Sequence, residues 1–168
     1  ILTEYDSDGD GQIEWGRYYF YDATGNELSD EYDSDGDGNI NSGSYHSYNL
    51  DGTLASETYD SDGDGQMDWS ETYTYDGNGN ETLYEYDSDG DGQPDQIRIQ
   101  AYDANGNLTL LEEDSDGDGQ LESGEYWTYD ANNNLVYSSE DTDGDGQIDW
   151  SVTYAFDGNG NETLYENC

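Results

Sequence analysis

The sequence predicts an all-β protein of six 27-residue repeats, each a β-hairpin plus an Asp-rich loop, forming an antiparallel meander or spiralling sheet. Three observations predict it. The run Asp-Ser-Asp-Gly-Asp-Gly starts at Asp6, Asp33, Asp60, Asp87 and Asp114, and returns with threonine for serine from Asp141, always 27 residues on. Self-similarity at one strict period marks units that lean on their neighbours. Between the runs, β-formers alternate with polar residues, as in Ile148 to Phe156. Asn-Gly then stands at Asn78-Gly79, Asn105-Gly106 and Asn159-Gly160. Asn-Gly between β-formers signals a hairpin closed by a two-residue type I′ turn, which needs positive φ at both residues.

Taken in order, residues 1–5 read as the tail of a preceding repeat, similar to Thr82 to Tyr86. The repeats follow at 6–32, 33–59, 60–86, 87–113, 114–140 and 141–167, with residue 168 as the chain end, and the whole reads as a single array. Ile1 stands where an initiator methionine would, so the chain is expected to be a piece of a longer precursor. Cys168, the single cysteine, falls where a seventh run would begin. It reads either as an intermolecular attachment point or as an unpaired residue at a terminus.

With each repeat numbered from its first aspartate, positions 1 to 9 make a metal loop. Positions 1, 3 and 5 are Asp6, Asp8 and Asp10; Asp33, Asp35 and Asp37; Asp60, Asp62 and Asp64; Asp87, Asp89 and Asp91; Asp114, Asp116 and Asp118; Asp141, Asp143 and Asp145. Position 9 is Glu14, Asn41, Asp68, Asp95, Glu122 or Asp149. Position 7, expected to offer its backbone carbonyl, is Gln12, Asn39, Gln66, Gln93, Gln120 or Gln147. Calcium takes about six to eight oxygen ligands, and a glycine at position 6 permits the sharp turn such a loop needs. Three like charges within a few residues repel one another without a cation. The expectation is therefore Ca²⁺, about six per chain, with position 2 outside the ligand set. Transition metals favour His or Cys, and this chain has one of each.

The loop lettering resembles the first nine positions of the EF-hand loop and the calcium loops of thrombospondin type 3 repeats. It departs from the EF-hand at position 12, which reads Arg17, Ser44, Glu71, Arg98, Glu125 and Val152 in place of the bidentate glutamate. The missing ligand is left to water or a neighbouring segment. The segment Tyr75 to Asn80, with its variants Tyr102 to Asn107 and Tyr21 to Asn26, resembles the tyrosine-aspartate (YD) repeats of large bacterial surface and toxin-shell proteins. The usual arginine after the turn glycine is absent. That resemblance implies hairpins continuing into spiralling sheets and a bacterial, secreted scaffold, with no catalytic residue carried over.

Positions 8 to 16 read as one strand and 21 to 27 as its return, with position 18 facing 21, 16 facing 23 and 14 facing 25. Short connections favour antiparallel neighbours, since parallel pairing needs a crossover of a dozen or more residues. A β-solenoid with corners at the loops is the alternative. One face then carries Ile13, Trp15, Tyr19 and Tyr21 in the first repeat and Met67, Trp69, Tyr73 and Tyr75 in the third. Cross-strand pairs such as Tyr73 with Tyr84 and Tyr154 with Tyr165 are expected there. The other face, with Asp68, Ser70, Thr72 and Thr74, reads as polar.

Composition narrows the function. The 168 residues include 43 acidic side chains against two basic ones, Arg17 and Arg98, a formal charge of −41. Phosphate binding needs cationic side chains, so nucleic acid is not an expected partner. No stretch is apolar enough to span a bilayer or serve as a signal sequence, so no membrane insertion is expected. No nucleophile triad, zinc spacing or phosphate loop is present, and the sole histidine, His46, sits at a strand position, so no enzyme is expected. What remains is a secreted, calcium-stabilised structural protein of the cell surface: a filament subunit, coat or adhesin stalk that self-associates. The alternative is a calcium-dependent carbohydrate-binding module in which Trp and Tyr stack on glycans.

Overall fold

The computed structural model describes residues 1–167, so the reading of Cys168 lies outside the described residues. It is all-β. Thirteen strands stand in one sheet in sequence order: β1 (Leu2–Tyr5), β2 (Trp15–Tyr21), β3 (Glu27–Asp33), β4 (Ser42–Tyr48), β5 (Leu54–Asp60), β6 (Trp69–Tyr75), β7 (Glu81–Asp87), β8 (Gln96–Tyr102), β9 (Leu108–Asp114), β10 (Ser123–Tyr129), β11 (Leu135–Asp141), β12 (Trp150–Phe156) and β13 (Glu162–Asn167). The pairings of β1 through β6 and of β8 through β13 are antiparallel. Sequential antiparallel neighbours exclude the solenoid. The chain divides into two compact units, Ile1–Tyr73 with Tyr86–Gln93, and Thr74–Glu85 with the segment from Pro94 on.

Each outgoing strand starts at position 10, two residues later than the pattern suggested, because positions 8 and 9 belong to the loop. Each full-length return strand ends on the first aspartate of the next loop, as β3 ends on Asp33 and β5 on Asp60. The first residue of every later loop is thus held by the sheet.

The turns differ from the type I′ expectation. In the first, the Asp22 N–H donates to the Asn26 carbonyl at 2.9 Å and the Gly25 N–H to the Asp22 carbonyl at 3.3 Å. Only one loop residue has positive φ, 97° at Gly25 and 87° at Gly79, while Asn133 takes that place at 66° in the fifth repeat. This is a three-residue loop, a type I turn followed by one left-handed residue. The cause is the aspartate at position 17: the Asp76 carboxylate accepts the Asn78 N–H at 2.8 Å and the Asn80 N–H at 3.0 Å, which holds the intervening residues in a tight turn.

Register follows from that turn. Tyr21 lies opposite Glu27 rather than Leu28, then a bulge at Leu28 brings Phe20 opposite Ser29 and Tyr19 opposite Asp30. The expected pairing of positions 14 and 25 is therefore present. It arises from a one-residue shift at the turn cancelled by a one-residue bulge, and the same shift recurs at Ala101/Tyr102, Thr128/Tyr129 and Ala155/Phe156.

One face carries an aromatic ladder. Trp15 lies 5.5 Å from Tyr5 and 6.2 Å from Tyr32 between ring centroids, and Trp69 lies 5.8 Å from Tyr59 and 6.3 Å from Tyr86. Tyr154 meets Tyr165 edge to face at 5.5 Å, as expected. The other face is less polar than the third repeat suggested. It holds Tyr18, Tyr45 and Tyr126, each laid over the glycine two residues earlier; a Cβ on Gly43 would stand 2.8 Å from the Tyr45 hydroxyl oxygen. The ring covers backbone that the glycine leaves bare.

Among the described residues, Val152 is the one fully buried large apolar side chain, at 1 % exposure. The other deeply buried side chains are chiefly carboxylates: Asp33 at 1 %, Asp60, Asp114 and Asp141 at 3 %, and Asp87 at 7 %. In each loop after the first, the leading aspartate is buried while most of the residues that follow it are exposed.

Candidate metal centres

Each loop is built around the aspartate at position 1. Burying a charge is costly unless hydrogen bonds replace its water. The Asp33 carboxylate accepts the Gly36 N–H at 2.7 Å on one oxygen and the Gly38 N–H at 2.8 Å on the other. Asp60 does the same with Gly63 and Gly65, Asp87 with Gly90 and Gly92, and Asp114 with Gly117 and Gly119. Burial pushes the Asp33 carboxyl up, but the N–H groups of Gly38 and Gly36 outweigh it and leave the group below the usual carboxylate range. The charge is thus kept in place.

The remaining positions interlock. The position 5 aspartate accepts the N–H of position 7 and also its side-chain amide: Asp10 with Gln12 at 2.9 and 2.8 Å, Asp64 with Gln66 at 2.8 and 2.8 Å. The residues chosen for their carbonyls therefore also brace a carboxylate. At position 9 the N–H closes the loop, as Asp68 donates to the Tyr59 carbonyl at 2.7 Å. Its side chain reaches back to position 2: Asp149 accepts the Thr142 N–H at 2.9 Å and the Thr142 hydroxyl at 2.5 Å, and Asn41 accepts both groups of Ser34 at 2.6 and 2.7 Å. The hydroxyls of Ser61 and Thr142 hold Asp68 and Asp149 below the usual carboxylate range. Position 2, set aside on sequence grounds, is what aims the position 9 carboxylate.

The acidic oxygens converge. One from each of Asp6, Asp8, Asp10 and Glu14 lies within 4.8 Å of the others, and so do those of Asp114, Asp116, Asp118 and Glu122. Asp33, Asp35 and Asp37 form a third group, with the Asn41 amide oxygen in the same loop, and Asp60, Asp62 and Asp68 a fourth from which Asp64 stands apart. Asp87, Asp89 and Asp91 belong to the first unit and Asp95 to the second. In the sixth loop Asp141 departs from its counterparts. Its Oδ2 accepts the Gly146 N–H at 2.8 Å, but its Oδ1 is buried without a hydrogen-bond partner. Asp143 accepts the Asp145 N–H, and Asp145 is braced by Gln147 at 2.8 Å. These oxygen-only groups can hold a hard cation.

Successive loops also touch. A Cβ on Gly36 would lie 1.6 Å from the Ile13 carbonyl oxygen, and on Gly63 2.1 Å from that of Ile40; Gly117 over Pro94 and Gly144 over Leu121 repeat the arrangement at 2.1 and 1.7 Å. Position 4 of one loop is pressed on position 8 of the loop before. A Cβ on Gly9, in the first loop, would meet nothing within 4 Å. No feature of a single repeat could have revealed this.

The two arginines and His46 pair with strand carboxylates rather than with those of the loops. Arg17 donates through Nε to Asp30 at 2.7 Å and stacks 5.2 Å from the Tyr19 ring, and Arg98 bonds Glu81 at 2.8 Å and stacks 4.9 Å from Tyr84. His46 is the strand residue expected, 3.5 Å from Glu57 across the ladder.

No family model matches the sequence, and no curated protein does. Among solved structures, the crystal structure of TcdB2-TccC3-Cdc42 aligns with 90 % of this chain at a TM-score of 0.58 and 17 % identity. The chain spans 7 % of the length of that one. TcdB2-TccC3-TEV aligns over 99 % of this chain at 14 % identity and a TM-score of 0.33. The likeness is one of fold, and it agrees with YD-repeat-like β-hairpins.

Proposed function

We propose that this chain is a secreted, calcium-stabilised structural repeat of a bacterial cell surface, without enzymatic activity, serving as part of a filament, coat or stalk. The observation that carries the reading is the construction of the loops. In the second to fifth loops the first aspartate is locked by two backbone N–H groups, and three or four carboxylates converge in the first, second, third and fifth, with no cationic side chain among them. Asp141 adds a buried carboxylate oxygen with no partner in the protein. Calcium supplies the positive charge that such a cluster lacks, and it suits a set made only of oxygens. Six ions would take the formal charge from −41 to about −29.

A mechanical role follows from the scarcity of buried apolar groups. A sheet with so little apolar core needs metals or partners to stay folded. Stacked loops couple each ion to its neighbours through the contact of position 4 on position 8. The sheet grows by one hairpin per repeat, and β1 and β13 each have one hydrogen-bonded neighbour. The same ladder can continue into a further repeat, in the same polypeptide or another copy.

Calorimetric titration together with thermal melts followed by circular dichroism, in calcium and in excess EGTA, tests the reading. The expected result is about six ions per chain and loss of the β signal on chelation. An unchanged melt in EGTA overturns calcium stabilisation. Light scattering across a calcium titration tests assembly, and a chain that stays monomeric at millimolar calcium rejects the filament.

A further inference from the structure

We infer that the second repeat carries a binding slot for a neutral sugar ring, between Tyr32 and Tyr59. The aromatic ladder shows how the slot arises. Where a tryptophan stands at position 10 of the first and third repeats, it faces the tyrosine that ends the preceding return strand: Trp15 opposite Tyr5 and Trp69 opposite Tyr59. Each indole lies between two tyrosine rings. In the second repeat the flanking tyrosines are both present, but position 10 is Ser42, directly opposite Tyr32. Two strand spacings, about 9.5 Å, separate β3 from β5, which is the span that holds an indole in the repeats on either side.

The fold holds that space open. A cavity of about 490 Å³ is lined by Trp15, Tyr32 and Tyr59, by the serines Ser42 and Ser44, and by the Arg17–Asp30 pair. That volume lies within the range of about 300–1,000 Å³ typical of small-molecule sites. Ser123, the other serine at position 10, faces Glu113 and so has no aromatic wall on that side.

The lining selects the occupant. Two aromatic faces one ring apart accept a flat, mostly C–H surface, while the serine hydroxyls and the Arg17–Asp30 pair offer donors and acceptors at its edges. A pyranose ring presents both, apolar C–H faces and hydroxyls around the rim. Charge argues for a neutral ligand. The chain's formal charge of −41 repels anions, and the carboxylate at this site is already neutralised by Arg17 in a two-pronged bond. The slot borders the metal loops, since Tyr32 and Tyr59 each precede a loop's first aspartate, but none of the candidate ligands lines it, and the inference rests on its aromatic walls rather than on calcium.

Isothermal calorimetry in millimolar calcium chloride with cellohexaose, chitohexaose, maltohexaose and xylohexaose tests it, beside the peptide Gly-Trp-Gly. At least one saccharide should bind the wild-type chain, and Tyr59→Ala should weaken it by about tenfold, the loss of one stacking face. The decisive variant is Ser42→Trp. It should complete the tyrosine–tryptophan–tyrosine ladder, raise the thermal midpoint, and abolish saccharide binding. Binding that survives Ser42→Trp overturns the inference, as does failure of all four saccharides. Binding of Gly-Trp-Gly alone replaces the sugar with an aromatic side chain and overturns it too. A change in calcium stoichiometry, read in the same instrument, reports on the loops and not on the slot.

Discussion

The two margins of the sheet use aspartate in the same way and reach opposite ends. At the turns, one carboxylate meets all its partners within five residues: Asp76 takes two backbone N–H groups and the Asn80 side-chain amide at 3.0 Å. At the loops, three or four carboxylates are each given some N–H partners and then crowded within 4.8 Å of one another. A turn is complete on its own. A loop gathers enough carboxylates to hold a cation, and the difference is one of charge density, since the hydrogen-bonding chemistry is shared. The asparagines at position 21 also find their reason here, because Asn107 and Asn134 repeat the amide bond to Asp103 and Asp130 at 2.9 and 3.0 Å.

Chelation breaks this comparison most strongly. A site held at a hundredfold excess over its Kd adds about 2.7 kcal/mol, and about 1 kcal/mol moves the midpoint of a chain of this size by ~2–4 °C. Removing all six ions should therefore lower the midpoint by roughly tens of degrees, read by circular dichroism in EGTA. The turns should not respond to calcium individually: Asp76→Asn should leave the ion count unchanged by calorimetry, whereas Asp60→Asn should remove one ion.

Within a loop, two glycines of equal conformation separate local from inter-repeat constraint. Gly63 and Gly65 have φ of 74° and 86°, but only Gly63 faces the backbone of another repeat, with the Ile40 carbonyl oxygen 2.1 Å from where an alanine Cβ would stand. Gly65→Ala should cost about 1–2 kcal/mol for the left-handed backbone alone. Gly63→Ala adds a backbone clash and should cost about 3 kcal/mol or more. Urea unfolding at saturating calcium measures both, and equal losses would mean that the loops do not stack.

Acid should act on the two margins through different chemistry. Hydrogen bonding, first from the Thr24 hydroxyl, lowers Asp22 from 3.8 to about 2, and Asp51, Asp76, Asp103, Asp130 and Asp157 shift the same way. A depressed carboxylate contributes stability that is full above its unfolded pKa and is lost as pH falls through the folded one. Turn stability should thus persist to pH 3.8 and fade toward pH 2. The loops should respond to calcium and acid together, because protons compete with the metal for the same oxygens. Acid titrations with and without calcium would show one midpoint that calcium moves and another that it does not. The smallest effect belongs to Arg17→Ala: its guanidinium is half exposed, and an exposed ion pair is worth under about 1 kcal/mol.

Much of this is legible in the residues themselves. The period, the alternation of Trp15, Tyr19 and Tyr21, and the oxygen set of each loop are written within single repeats, because strands and turns are made by near neighbours. The turn type is the exception, since Asn-Gly points to type I′ while the aspartate two residues before it decides the geometry. Asp22 and its counterparts close a three-residue loop, and the bulge at Leu28 then restores the register by a route that no pattern of two could indicate.

What the sequence by itself determined is the repeating unit: where strands run, which face is aromatic, and where carboxylates gather. Only the tertiary structure decided what repeats do to one another. It buried Asp33, Asp60, Asp87, Asp114 and Asp141 beneath their own loops, made position 4 a glycine by pressing it on the carbonyl of the repeat before, and left an opening beside Ser42. The physical reason is distance along the chain. Hydrogen bonds inside a repeat span a few residues and leave a local signature, whereas contacts between repeats depend on strand spacing and register summed over 27 residues, where no single residue type records them.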